Sequence, residues 1–370
     1  MRLIVAIFTL AAAAAQPAAA QGPGPNSRAE AVEIVREMRR IVAPEGVERL
    51  EAVHIGGIDQ WVSIRGVDKR NPVLLMVHGG PGYVSMPTSW YFQRGWEDYF
   101  TVVQWDQRGA GKTFASNDPA IVGPTMTTER AVADAEELVD WLRREFGKEK
   151  IFILGHSWGT FVAGSVAQRH PEWLHAYVGV GQLSDMPQSE RRGWLFAMEQ
   201  ALRAGNRQAI SELDAIAPYA APGQPIPLQD LYVQRKWLGE YGGAVAYRNG
   251  FAAEIAAVAL SPEYTDADLA SMWEGNAMSA GKLLGEVVMI DWTDVTTFQT
   301  PVVIFNGRHD RNASASAAAE WFERVQAPSK TLVWFEHSAH EMFNEEPGKF
   351  LVSLVQHLRP IAERAGDVPP

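Results

Sequence analysis

The sequence predicts an α/β fold: a mostly parallel, twisted sheet flanked by helices, with a helical cap inserted late in the chain. Three observations carry that prediction. Short, solidly apolar runs such as 73–77 (VLLMV) and 151–154 (IFIL) read as strands buried on both faces. Strands of this kind alternate with amphipathic helical stretches, the pattern of a parallel sheet. Between two of these strands lies a long segment, 184–298, with helical character and no strand signal.

In chain order, residues 29–42 have helical periodicity. Strand-like runs at 49–54 and 60–65 flank Gly56-Gly57 and predict a hairpin. The run 73–77 ends at His78-Gly79-Gly80-Pro81-Gly82, and 100–105 (FTVVQW) is the next strand. A helix is expected over 128–146, stopped by Gly147. The strand 151–154 leads into Gly155-His156-Ser157-Trp158-Gly159, followed by a helix over 161–169 and a strand over 176–180. The cap carries Trp194, Trp237, Trp273 and Trp292. Strand character returns at 301–305 and 330–335, and a final helix is expected over 347–358. The core therefore comprises residues 29–183 and 299–370.

The N-terminal segment reads as a leader. Met1 and Arg2 precede an uncharged apolar run over 3–15, and Ala18-Ala19-Ala20 supplies small residues for cleavage near Ala20. That run is too short for a membrane span, so export to the periplasm or exterior is expected, without stable membrane insertion. Residues 21–28 read as a linker. The chain contains no cysteine, so an exported form has no disulfide and relies on core packing. It also lacks a thiol nucleophile. A formal net charge of -11 argues against nucleic acid or an anionic membrane as partner.

Gly-x-Ser-x-Gly between a buried strand and a helix is the strongest chemical signal. Such a turn exposes its serine above the sheet, here Ser157, and its glycines leave room for the sharp bend. A serine nucleophile needs a base and an orienting acid. Asp310, in Asn306-Gly307-Arg308-His309-Asp310, follows a strand and so lies at the same sheet edge. His340 follows the last strand, with His337 as a competitor. The backbone N–H of Trp158, next after the serine, is an oxyanion donor by the same logic.

Two other motifs fail. Gly109-Ala110-Gly111-Lys112-Thr113 lacks the glycine five residues before its Gly-Lys pair, where Asp106 stands, so it is no phosphate loop. The segment beginning His340-Glu341 has Asn344 where a zinc-binding HExxH helix needs histidine. No metal or cofactor is expected.

Taken together, His78-Gly79-Gly80-Pro81-Gly82, Asp106-Gln107-Arg108-Gly109-Ala110-Gly111, the Ser157 turn and Gly307-Arg308-His309-Asp310 resemble the proline iminopeptidase branch of the α/β-hydrolases. The resemblance covers roughly residues 45 to 183 and 299 to 360. It implies the α/β-hydrolase fold and serine hydrolysis through an acyl-enzyme, acting on a small peptide or ester. It selects His340, seven positions before Pro347, although Ala339 stands where the family has glycine. It implies Gly80 as the second oxyanion donor and a structural role for Asp106-Gln107-Arg108. It also implies a cap glutamate for the substrate amine, for which Trp273-Glu274-Gly275 is a partial match and Glu286 a second candidate. An aminopeptidase releasing N-terminal proline is expected; a carboxylesterase and a non-catalytic binding protein are the alternatives.

Overall fold

A computed structural model describes residues 24–369. The leader-like residues 1–20, their cleavage position and the first part of the linker lie outside the described residues. One eight-stranded sheet organises the chain. Its strands are β1 (Val47–Ile55), β2 (Ile58–Gly66), β3 (Val73–Val77), β4 (Thr101–Trp105), β5 (Ile151–His156), β6 (Leu174–Val180), β7 (Val302–Gly307) and β8 (Lys330–Phe335). Their spatial order is β1-β2-β4-β3-β5-β6-β7-β8. β1 and β2 form the antiparallel hairpin, β2 meets β4 antiparallel, and every later pairing is parallel.

Burial follows the pattern of the strands. β1, at an edge, keeps alternate residues in solvent, whereas every residue of β3 to β7 is buried. Helices on both faces account for this. On one face, Leu138, Val139 and Leu142 of helix Thr128–Glu145 and Val162, Ala163 and Val166 of helix Trp158–Arg169 join the core. On the other, Phe350, Leu354 and Leu358 of helix Pro347–Arg364 pack with Phe92 and Trp96. Phe350 stacks on Trp96 at 5.0 Å between centroids, and truncating such a buried ring costs about 3–5 kcal/mol.

The structure extends several of the expected elements, the last helix running on to Arg364, but ends the first helix at Arg39, three residues short of the expected 42. It adds helix Ala315–Arg324 between β7 and β8, capped by the Ser314 hydroxyl, with Ala318, Trp321 and Phe322 facing the core. Between β6 and β7 the chain passes through α-helices Met186–Ala204, Arg207–Ala215, Leu228–Glu240, Ala252–Ala257 and Asp266–Val287. A backbone bridge between Asp185 and Asp291 brings the two ends of this excursion together.

The helix Arg28–Arg39 ties the N-terminal end to the excursion. Arg39, buried, pairs with Glu263 at 2.7 Å, and Arg28 donates to the Tyr264 carbonyl at 2.7 Å. Among the described residues, no helix is long and apolar enough to cross a membrane.

Candidate active site

Four loops leave the carboxyl ends of parallel strands at one edge of the sheet. They carry Gly80 after β3, Ser157 after β5, Asp310 after β7 and His340 after β8. This edge is where open α/β sheets place ligands.

The turn at Ser157 is strained in the way its sequence demands. Ser157 adopts φ 54 and ψ -122, a left-handed conformation that a non-glycine residue rarely holds. Its N–H donates to the Val180 carbonyl at 2.9 Å, which anchors the turn to β6. A Cβ at Gly155 would stand 2.2 Å from the Gly159 carbonyl oxygen, and one at Gly159 would stand 2.0 Å from that of Val77. Both glycines are therefore required by close backbone approach. Helix Trp158–Arg169 starts at the next residue, so its positive end faces the serine.

His340 and Asp310 are both buried and joined by a 2.7 Å hydrogen bond from imidazole Nδ1 to carboxylate Oδ2. The other carboxylate oxygen accepts from the backbone N–H groups of Asn312 and Ala313 at 2.8 and 2.9 Å. The acid is thus fixed at both oxygens, and Nε2 of His340 is left for the cavity. Burial alone would lower the pKa of His340, but the neighbouring Asp310 charge and hydrogen bond reverse this and raise it above the ordinary 6.5. Ser157 and His340 line one cavity of about 360 Å³. His337 is exposed, and its N–H is held by Glu346 at 3.0 Å.

Gly80 (φ 115) lines this cavity, and Trp158 is the first residue of the helix that follows Ser157; neither backbone N–H has an acceptor among the described residues. Gln107 links the loops that carry them. Its amide donates to the His78 carbonyl at 2.9 Å, and its carbonyl accepts from the Trp158 indole N–H at 3.0 Å. Asp106 caps the following turn through the Lys112 N–H at 2.8 Å and accepts from the Tyr264 hydroxyl of the cap. Arg108 pairs with the buried Asp134 at 2.8 Å. The whole segment joins the sheet edge to the cap.

The cap residues divide. Trp273 lines a small adjoining cavity of about 20 Å³, its ring 6.2 Å from that of Tyr83. Glu274 does not join it; the next position around the helix is exposed, and the carboxylate lines neither cavity. Glu286 likewise lines neither. Trp273 lines the cavity although it is 41% exposed, and Glu274, about 100° further around the helix, lines neither cavity.

Two other carboxylates face the small cavity. Glu254, on helix Ala252–Ala257, pairs through one oxygen with Arg248 at 3.3 Å, while its other oxygen is buried without a partner. Glu341 is buried on the wall that both cavities share with Tyr83, His156 and Asn276. Burial pushes its pKa up to about 7. His156 Nε2 lies 3.0 Å from the His340 carbonyl oxygen; burial, then the His340 charge, keeps it neutral and able to donate there. The sequence offered one signal for Glu341, its place beside His340, and none for Glu254. Among the described residues, no cluster of side chains could hold a metal ion.

A family model described as alpha/beta hydrolase fold matches residues 72–215, and one described as serine aminopeptidase, S33, matches residues 274–347. A probable aminopeptidase of Bacillus subtilis is 30% identical over 311 residues, covering 84% of this chain and 96% of its own. A proline iminopeptidase of Neisseria gonorrhoeae is 34% identical over 105 residues, covering 28% of this chain and 31% of its own. Among solved structures, the proline iminopeptidase of Mycobacterium smegmatis superposes with a TM-score of 0.62 at 19% identity, over 86% of this chain and all of that one. At that identity the likeness speaks for the fold alone.

Proposed function

This chain belongs to the α/β-hydrolase superfamily, and from that premise we propose that it is a serine aminopeptidase releasing an N-terminal residue, proline foremost, from peptides or amides. The observation that carries the reading is the small cavity beside Ser157, with its unpartnered Glu254 oxygen, Glu341 and the rings of Tyr83 and Trp273. A buried carboxylate oxygen without a partner is costly unless a cation or donor arrives. A volume of about 20 Å³ admits one group the size of water, which suits the ammonium nitrogen of a substrate. The aromatic faces add a cation–π contribution. The rest of the terminal residue stays in the larger cavity, with its carbonyl at Ser157.

The chemistry is acyl transfer. Ser157 Oγ attacks the carbonyl carbon and passes its proton to Nε2 of His340, whose other nitrogen Asp310 holds. The carbonyl electron pair moves to oxygen, which accepts from the N–H groups of Gly80 and Trp158. The C–N bond then breaks, and His340 returns the proton to the leaving nitrogen. Water attacks the acyl-enzyme and gives one proton to His340, which passes it to the departing Ser157 oxygen. The products are the free amino acid and the shortened peptide.

Turnover of prolyl p-nitroanilide against p-nitrophenyl acetate tests this. The native protein should cleave both, and in Glu254→Gln the anilide-to-ester ratio of kcat/KM should fall about 10- to 100-fold, the range of one charge-assisted contact. Ester turnover without aminoacyl cleavage would leave a carboxylesterase. Turnover of neither would leave a binding protein on this fold.

A further inference from the structure

The cap contributes a cation to the Ser157 cavity that the amine site does not use. Tyr232, Arg235 and Leu238, spaced by three on helix Leu228–Glu240, line the cavity shared with Ser157 and His340, and none of them lines the small amine-sized cavity. Arg235 is held from behind. Its Nη1 donates to Oε2 of Glu190 at 2.9 Å, its Nη2 donates to Oε1 of the same residue, and Nη1 also donates to the side-chain amide oxygen Oε1 of Gln234. Glu190 is buried, and Tyr219 donates its hydroxyl to it at 2.7 Å.

A guanidinium has five N–H bonds. Three are spent on Glu190 and Gln234, all from the terminal nitrogens. The Nε–H and the second hydrogen of Nη2 remain, on one edge of the planar group. Among the described residues neither has an acceptor, and Nε is not sealed from solvent. Two parallel donors on one edge match a carboxylate bidentately, and the Glu190 pair fixes the plane before any ligand arrives.

We propose that Arg235 binds the free α-carboxylate of the leaving group, so that the preferred substrates are dipeptides and other very short peptides. This rests on the aminopeptidase reading and adds the substrate's other end. With the ammonium held by Glu254 and Glu341 and the scissile carbonyl at Ser157, the leaving portion extends into the remainder of the cavity, where Arg235 is. About 360 Å³ is the lower end of small-molecule pockets, and Arg235 lines it together with Ser157 and His340, so a carboxylate bound there belongs to a short leaving group. The two ends of a zwitterionic peptide thus meet charges of opposite sign.

Kinetics on prolylglycine and prolylglycinamide test it, since the two differ only in the terminal carboxylate. The native protein should favour the free acid in kcat/KM by about 10-fold or more, as charge-assisted hydrogen bonds to one carboxylate give. Arg235→Lys keeps the charge opposite buried Glu190 but loses the fork, and should lower that preference. The double variant Glu190→Gln/Arg235→Gln leaves no unpaired buried charge and should bring the ratio close to one. A native ratio at or below one, or a preference that survives in both variants, overturns the inference. If the anilide is cleaved while the two glycine compounds react equally, this inference alone falls. If no prolyl compound is cleaved, the aminopeptidase reading falls with it.

Discussion

The strand-end half of the site and the cap half are built on different physical terms. Ser157, Asp310 and His340 stand on loops one to five residues beyond strands β5, β7 and β8, and each is pinned by backbone hydrogen bonds or by its neighbour. Little in their positions can vary without disturbing the sheet. Arg235, Glu254 and Trp273 stand on separate cap helices and reach their cavities through long side chains. Their geometry depends on how helices pack, and a rotation of one residue exchanges a cavity-lining group for one that lines neither cavity, as Trp273 and Glu274 illustrate. The rigid half suits chemistry common to many substrates. The adaptable half suits the choice among them.

The sharpest way to break this division is to change the rigid half without changing its shape. Asp310→Asn is nearly isosteric, and its amide oxygen can still accept from Asn312 and Ala313. Its NH₂ would then face Nδ1 of His340, which forces the wrong imidazole tautomer. A fall in kcat of about 10⁴-fold is expected for ester and aminoacyl substrates alike. The pH profile should move as well. The imidazole must be neutral to act as base, and Asp310 is what raises its pKa above 6.5, so in the native protein the acid limb lies above pH 6.5. Residual activity in the variant should have its acid limb at lower pH. A loss confined to one substrate class would show that the strand ends also select.

Gly80→Ala probes the same half one step further from the proton chain. A Cβ there would lie 2.5 Å from the N atoms of Gly82 and Tyr83, and the φ of +115° already disfavours it, so the loop must shift and take the N–H with it. Displacing one oxyanion donor should cost about 10²- to 10³-fold in kcat, with KM nearly unchanged. An equal fold-rise in KM would mean that the loop binds substrate rather than the developing oxyanion.

The same division explains what the sequence revealed. A buried strand, a tight glycine turn and a helix start are local features, so the Ser157 turn was legible from the residues between 151 and 169. Asp310 was legible because a loop after a parallel strand has only one sheet edge to occupy. His340 needed the family spacing to Pro347, since His337 stands on the same loop. The amine-sized cavity was not legible. Glu254 sits in a helix of six residues among alanines, and only tertiary packing brings it beside Glu341 and Tyr83. Arg235 and Glu190 are 45 positions apart, and no local pattern marks their pairing. Glu274 was chosen because it follows a tryptophan, but helix periodicity, not adjacency, decides which side chains share a face.

Glu341 joins the two halves, and its replacement should separate selection from stability. Its carboxyl is buried and its pKa is pushed up to about 7, so the folded state holds this proton more tightly than the unfolded chain, whose value is 4.5. Between those values the native state binds more protons, so stability falls as pH rises through the window and stays low above it. Glu341→Gln removes the ionisation while keeping an oxygen for Asn344, and should raise stability at pH 8 by about 1–3 kcal/mol, with little change at pH 4. The same variant should raise KM for prolyl anilide about 10-fold, because an ammonium needs the ionised carboxylate. In the native protein that KM should itself rise as pH falls below about 7. Thermal unfolding at the two pH values and anilide kinetics read both effects. A variant that is more stable yet keeps its anilide KM would make Glu341 a structural acid and leave amine recognition to Glu254 alone.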